Sequence, residues 1–431
     1  MAPSSSARCC QREPEGFIVS GKIIIIGTLD TKGADFRFVR DLMRDAGLET
    51  LTIDVGIIGE PAFTPEVTRA EVAAAAAVDI ADFRSGAHKD QAMQAMTNGV
   101  VEVVRRLQRE GQVAGVFSMG GSGGTAIATA AMRALPAGLP KVMVSTVGGG
   151  DVSAYTGGKD IVFFPSIVDV AGLNRISRLV YTNAAHAMIG MARAQPASTD
   201  QDKPLLAASM FGSTTPCVTA VKEAIEKHGF EVLVFHATGT GGRTMESLIA
   251  QGLIAGLLDI TTTELADNVC GGVMDAGPER CFAAPRAGLP AVLVPGCVDM
   301  ANFWSVESMP KVYEGRRLYR WNPNVTLLRT NVEENREIGH RLAAAANAAT
   351  GPVAILIPKR GVSLLDREGG DFWDPEADGA CFEAIRTGVR PGIPVRELDY
   401  HINDPPFAAE VASQMLQLLQ ARGRTISERQ P

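Results

Sequence analysis

The sequence predicts an α/β protein built as two Rossmann-like, doubly wound lobes with mainly parallel sheets. Three observations carry that prediction. Short β-branched runs alternate with helix-like segments along the chain, the runs end in loops rich in glycine and threonine, and the same order of elements occurs twice. At 431 residues the chain also exceeds the roughly 250–300 residues at which a single hydrophobic core stops growing.

The first run is Lys22-Ile23-Ile24-Ile25-Ile26, closed by Gly27. An unbroken β-branched stretch of this length reads as a parallel strand buried on both faces. A helix over 32–46 follows, ended by Gly47, and then strands over 48–54, 113–119 and 141–147. An additional segment at 57–111 carries an alanine-rich helix near 69–78 and a longer one near 91–110, with packing or assembly as its expected role. The second half repeats the order: strand 205–210, helix 216–228, then strands 230–236, 254–260 and 291–295. Polar, proline-bounded residues 195–204 read as a linker. The expected organisation is a disordered tail at 1–20, one lobe at 21–195 and a second at 204–425.

Composition excludes several classes of function. A net charge of −7 with no lysine and arginine stripe argues against a nucleic-acid partner. The longest apolar stretch, 248–260, is broken by Gln251 and is shorter than the roughly 18 residues that span a bilayer. The first twenty residues lack the apolar centre of a secretory signal, so a cytoplasmic location is expected. Cys9, Cys10, Cys217, Cys270, Cys281, Cys297 and Cys381 form no zinc pattern and read as reduced structural thiols.

In open α/β sheets ligands sit beyond the carboxyl ends of the strands, where helix N-termini present free N–H groups. The loop Gly120-Gly121-Ser122-Gly123-Gly124-Thr125 follows a strand and opens a helix. Lacking Cβ atoms, its backbone can approach a phosphate closely, and Ser122 and Thr125 add hydroxyls; a tight structural turn is the alternative. Gly148, Gly149, Gly150 and Asp151 follow the next strand. Asp30 and Lys32, with Thr28 and Thr31, follow the first.

In the second half, Gly239, Gly241, Gly242 and Arg243 follow His236, and Arg243 could clamp a phosphate or carboxylate or be a surface arginine beside a turn. Thr262 and Thr263, followed by Glu264, could bind an oxyanion or form an N-cap with a first-turn acid. His236, Glu264 and Asp299 are the candidate acid–base groups, with hydrogen-bonded scaffolding as the alternative for the histidine. No metal-ligand pattern is present. The loops are expected to enclose a ligand between the lobes.

Taken together, GTLDTKG (27–33), GGSGGT (120–125), TGGKDI (156–161), FPSIVDVAGLNRIS (164–177), FGSTTPCV (211–218), FHATGTGGR (235–243), LDITTTELAD (258–267) and GVSLLD (361–366) resemble the family of the ATP-binding N-terminal domain of the tomato mosaic virus resistance protein. The resemblance runs from about residue 21 to the C-terminal helix. It implies two Rossmann-like subdomains, a homodimer, and ATP, with Mg2+ accompanying it, held by the loops at 120–125 and 148–151; the plant member uses this domain to bind and inhibit a viral replication protein. Three functions follow: an ATP-binding protein that transfers or hydrolyses phosphate, an enzyme acting on a small phosphorylated or carboxylated metabolite without ATP, and a non-catalytic binding module stabilised by nucleotide.

Overall fold

The computed structural model describes residues 21–83, 89–194 and 203–427; the expected tail, most of the expected linker, Cys9 and Cys10 lie outside them. The chain divides into two units, 1–197 and 198–431. The first runs β1 (Lys22–Gly27), α1 (Leu29–Asp45), β2 (Thr50–Asp54), α2 (Arg69–Ala75), α3 (Lys89–Arg109), β3 (Val113–Gly120), α4 (Ser122–Arg133), β4 (Lys141–Ser145), α5 (Ser153–Thr156), β5 (Val162–Pro165) and α6 (Arg175–Arg193). Its sheet is parallel throughout, in the order β2-β1-β3-β4-β5.

Strand periodicity divides the four isoleucines of β1 between two cores. Ile24 and Ile26 pack with Val72 of α2, Val100 and Val104 of α3 and Ile127 of α4. Ile23 and Ile25 pack on the other face with Phe36 and Val39 of α1 and Tyr181 and Met188 of α6. Each fully buried isoleucine contributes about 1.5–3 kcal/mol, so β1 is the keystone of the three-layer unit.

The second unit runs β6 (Leu205–Met210), α7 (Thr215–Glu226), β7 (Glu231–His236), α8 (Thr240–Ala250), β8 (Gly256–Thr261), α9 (Thr263–Cys270), α10 (Ala283–Arg286), β9 (Ala291–Gly296), β10 (Met300–Phe303), β11 (Leu318–Asn322), β12 (Val325–Arg329), α11 (Val332–Asn347), β13 (Val353–Pro358), α12 (Pro375–Gly388), β14 (Val395–Leu398) and α13 (Pro405–Ser427). The main sheet is parallel in the order β14-β13-β9-β8-β6-β7. A small antiparallel sheet, β10-β12-β11, is added after β9; nothing in the alternation of strand and helix announces it.

Both parallel sheets share one topological device. The chain leaves β1 for β2 on one side and returns to β3 on the other, and it leaves β6 for β7 and returns to β8 in the same way. At such a reversal the loops diverge and open a crevice at the carboxyl ends of the strands. The two crevices, β1/β3 and β6/β8, are the places to look for ligand chemistry.

Candidate functional site

The β1/β3 crevice is open. It forms a cavity of about 320 Å3 lined by Thr28, Asp30, Thr31 and Lys32 after β1, by Val55, Gly56, Ile57 and Ile58 after β2, by Gly121, Ser122, Gly123 and Gly124 at the start of α4, and by Met93, Met96 and Ile127. The N-cap of α4 is Gly121, in an extended conformation with no side-chain cap. The first bond of the helix runs from Thr125 N to Gly121 O, so the N–H groups of Ser122, Gly123 and Gly124 make no intrahelical bond and carry the positive end of the helix dipole.

Three of these glycines, Gly121, Gly123 and Gly124, are not demanded by the chain itself. None of Gly120, Gly121, Gly123 and Gly124 has a positive φ. A Cβ on Gly121 would meet Thr146 Oγ1 at 3.8 Å, and one on Gly124 would meet Met119 O at 3.8 Å, both ordinary contacts. One on Gly123 would meet only the mobile end of Met93, at 3.1 Å. Only on Gly120, at the end of β3, would a Cβ press on rigid backbone, 3.3 Å from Gly124 Cα. Glycine in a helical first turn is costly relative to alanine, and here neither backbone strain nor a rigid neighbour repays that cost.

The other residues of the loops divide between pocket and scaffold. Asp30 accepts from Ile58 N (3.0 Å) and Gly59 N (3.2 Å) through Oδ2, while its Oδ1 is buried without a partner. Lys32 lines the cavity and donates to Val170 O. Thr125 turns inward, bonding Gly121 O (2.8 Å) and Ser145 Oγ (2.7 Å); its hydroxyl is scaffold. Gly149, Gly150 and Asp151 lie on the neighbouring loop, joined to the first where Thr146 N meets Gly120 O, and do not line the cavity. Asp151 caps Ser153 N at 2.9 Å, a bond that holds its carboxyl below the usual range.

Sequence reasoning missed the apolar wall. Met93 and Met96 come from the added segment at 57–111, whose expected role was packing, and their three-residue spacing on a helix reads as ordinary core. It also missed Asp54, the last residue of β2, where dinucleotide-binding folds place a ribose-binding acid. Asp54 is spent internally: Oδ1 accepts from Leu29 N (3.1 Å) and Gly56 N (2.9 Å), and Oδ2 pairs with Arg69 at 2.8 Å.

The β6/β8 crevice is closed by the chain's own charges. Glu264 Oε1 accepts from Gly239 N (2.6 Å) and Gly242 N (3.1 Å), at the start of α8. Its Oε2 accepts from Arg280 Nε at 2.6 Å, and the same guanidinium grips Asp259 bidentately at 2.5 and 2.7 Å. All three side chains are fully buried. The glycines here answer to the protein: a Cβ would stand 2.8 Å from Asp275 O at Gly239, 1.9 Å from His236 O at Gly241 and 2.2 Å from Glu264 Oε2 at Gly242. Arg243 donates to Asp275 O (2.6 Å), Thr262 to Val294 O (3.1 Å) and Thr263 to Met300 O (3.0 Å).

The candidate acid–base groups are not brought together; among the described residues no hydrogen bond joins any two of them. His236 is exposed, its ring 5.3 Å from that of Phe211. Asp299 is buried, accepts from Ser363 Oγ at 2.7 Å, and is pushed above the usual carboxylate range by burial and then by Asp366. Among the described residues no cluster of three His, Cys, Asp or Glu side chains is arranged to hold a metal, and no helix is long and apolar enough to cross a membrane.

Residues 21–197 match the N-terminal domain, and residues 203–419 the C-terminal domain, of the uncharacterised protein family UPF0261. The chain belongs to that family. A UPF0261 protein of Clostridium tetani is 45% identical over 400 residues, covering 93% of this chain and 99% of its own. The ToMV susceptible protein tm-1(GCR26) of Solanum lycopersicum is 36% identical over 421 residues, covering 93% of this chain and 56% of the plant protein. The ToMV resistance protein Tm-1(GCR237) of the same plant is 42% identical over 316 residues, covering 72% and 42%.

Proposed function

We propose that the β1/β3 crevice binds a phosphorylated small molecule, ATP, with its phosphates on the N-terminus of α4. The observation that carries this reading is the glycine loop: of its four glycines in six residues, Gly121, Gly123 and Gly124 are not required by the protein's own packing and leave room for a ligand against the backbone. The N–H groups of Ser122, Gly123 and Gly124 would bind phosphate oxygens, Lys32 would supply a cation, and Met93, Met96, Ile57 and Ile58 offer an apolar wall for a base. Magnesium would arrive on the nucleotide, with Asp30 the carboxylate of the lining. ATP is chosen among phosphorylated ligands on the strength of the family resemblance.

The metabolite reading is the weaker one, because Arg243, Thr262, Thr263 and Glu264 already have partners within the chain. Thermal unfolding tests the choice, with MgATP, MgADP, nicotinamide dinucleotides and sugar phosphates compared on the wild type and on Gly121→Ala. Ligand at a hundred times its Kd stabilises by about 2.7 kcal/mol, a shift of several degrees. A MgATP shift that Gly121→Ala abolishes supports the proposal. A shift with sugar phosphates alone removes ATP but keeps the phosphate site, and a MgATP shift that Gly121→Ala leaves intact places the nucleotide elsewhere.

A further inference from the structure

Lys32 serves two parts of the first unit at once. It lines the crevice, and its ammonium reaches the carbonyl of Val170, 138 positions away in the segment joining β5 to α6. Its backbone is non-helical (φ −128°, ψ 16°) within the first turns of α1, so the helix is kinked where this side chain departs. One turn further along, Asp35 holds the same segment, accepting from Gly172 N at 3.1 Å. The segment thus has two polar ties to α1, one of them made by a residue of the pocket.

The tied segment is under tension. Ile167 has φ +65°, a region that β-branched residues rarely enter, and its side chain is 75% exposed, so no packing compensates it. Three residues on, the Val170 side chain is fully buried in the core shared by α1 and α6. The strained residue is therefore held between Ser166, whose N–H donates to Ser145 O, and the Lys32 bond.

We infer that Lys32 is a latch that couples occupancy of the crevice to the 166–172 segment. The inference rests on the proposed phosphate site and adds its regulation. The carbonyl of Val170 is a neutral acceptor, whereas a phosphate oxygen carries a full opposite charge and attracts the ammonium more strongly. A phosphate arriving at the start of α4 draws the ammonium away from Val170, the segment loses one of its two ties to α1, and the strain at Ile167 relaxes. Bound ligand is then reported on the surface that carries Ile167, outside the crevice. By reciprocity, whatever holds the segment in its latched form weakens ligand binding by the same factor.

Hydrogen–deuterium exchange of the full chain tests this, read on peptides covering 166–172. MgATP is expected to raise exchange there several-fold in the wild type. Lys32→Met is expected to raise it without nucleotide and to abolish the further response; Lys32→Gln serves if the methionine variant does not fold. Two results overturn the latch: a wild type that binds MgATP by thermal shift while 166–172 exchanges no faster, or a neutral Lys32 variant that exchanges at the wild-type rate without nucleotide. Absence of a thermal shift with MgATP would sink the nucleotide reading instead, and a neutral Lys32 variant that exchanges at the wild-type rate would still overturn the latch.

Discussion

Glu264 Oε1 lies 2.6 Å from the backbone nitrogen of Gly239, so the positive end of α8 already holds an anion, supplied by the protein. At the start of α4 the corresponding donors face a cavity. Two crevices made by the same strand crossover thus differ in one respect that bears on function: one is satisfied from within and the other is not.

Removing the counter-charge of the satisfied crevice should be severe. Arg280→Met leaves Asp259 and Glu264 without their counter-charge, and breaking a buried pair in this way costs about 3–5 kcal/mol. Urea denaturation would measure it. Adding Glu264→Gln to the same chain should recover part of the loss; no recovery would mean that the two side chains are not coupled.

In the open crevice the expectation has the opposite sign. Gly124→Ala places a methyl in a helical first turn with no close neighbour and should stabilise the unliganded protein by about 0.5–1 kcal/mol, visible as a rise in Tm. The same variant should lose its response to MgATP. Unchanged nucleotide affinity would show that the phosphates do not approach Gly124.

Stability should fall as pH rises through the acid range. Burial pushes the Asp267 carboxyl up to about 7, although Asn302 and Met274 donate to it. The unfolded chain releases that proton near pH 4. The stabilisation is therefore complete below about pH 4, declines from there to pH 7 by up to about 1.4 kcal/mol per unit, and is gone above that. Asp299 acts in the same direction. Urea midpoints across this window should slope less steeply in Asp267→Asn, and an equal slope would remove Asp267 from the explanation.

Thiol chemistry offers a check on the cores. Cys217, Cys270, Cys281, Cys297 and Cys381 are free and buried, and burial pushes the Cys217 thiol up to about 12. In a chain carrying Cys9→Ser and Cys10→Ser, a thiol reagent should label nothing quickly in the native state and five groups on unfolding. Fast native labelling of any of them would place a gap in the packing around it.

The fold was legible because parallel strands buried on both faces announce themselves as β-branched runs; β1 was found from its four isoleucines, and β8 and β9 from similar stretches. The small sheet β10-β12-β11 was not, because none of its short strands alternates: β10 is buried at every position, β12 at nearly every one, and β11 is exposed along most of its length. Among the loops, sequence could mark Gly120–Gly124 and Gly239–Gly242 as glycine-rich, but it could not separate them. The separation depends on Glu264, Arg280 and Asp259, which are spread over 22 positions of chain and meet only in three dimensions.

The closed crevice also has an evolutionary consequence. Because Arg280 holds Asp259 and Glu264 together in the dry interior, loss of the arginine alone leaves two buried carboxylates without their counter-charge. A descendant of this chain could change the lining of the open β1/β3 crevice one residue at a time, whereas any route through Arg280 in the β6/β8 crevice crosses a fitness valley about 3–5 kcal/mol deep.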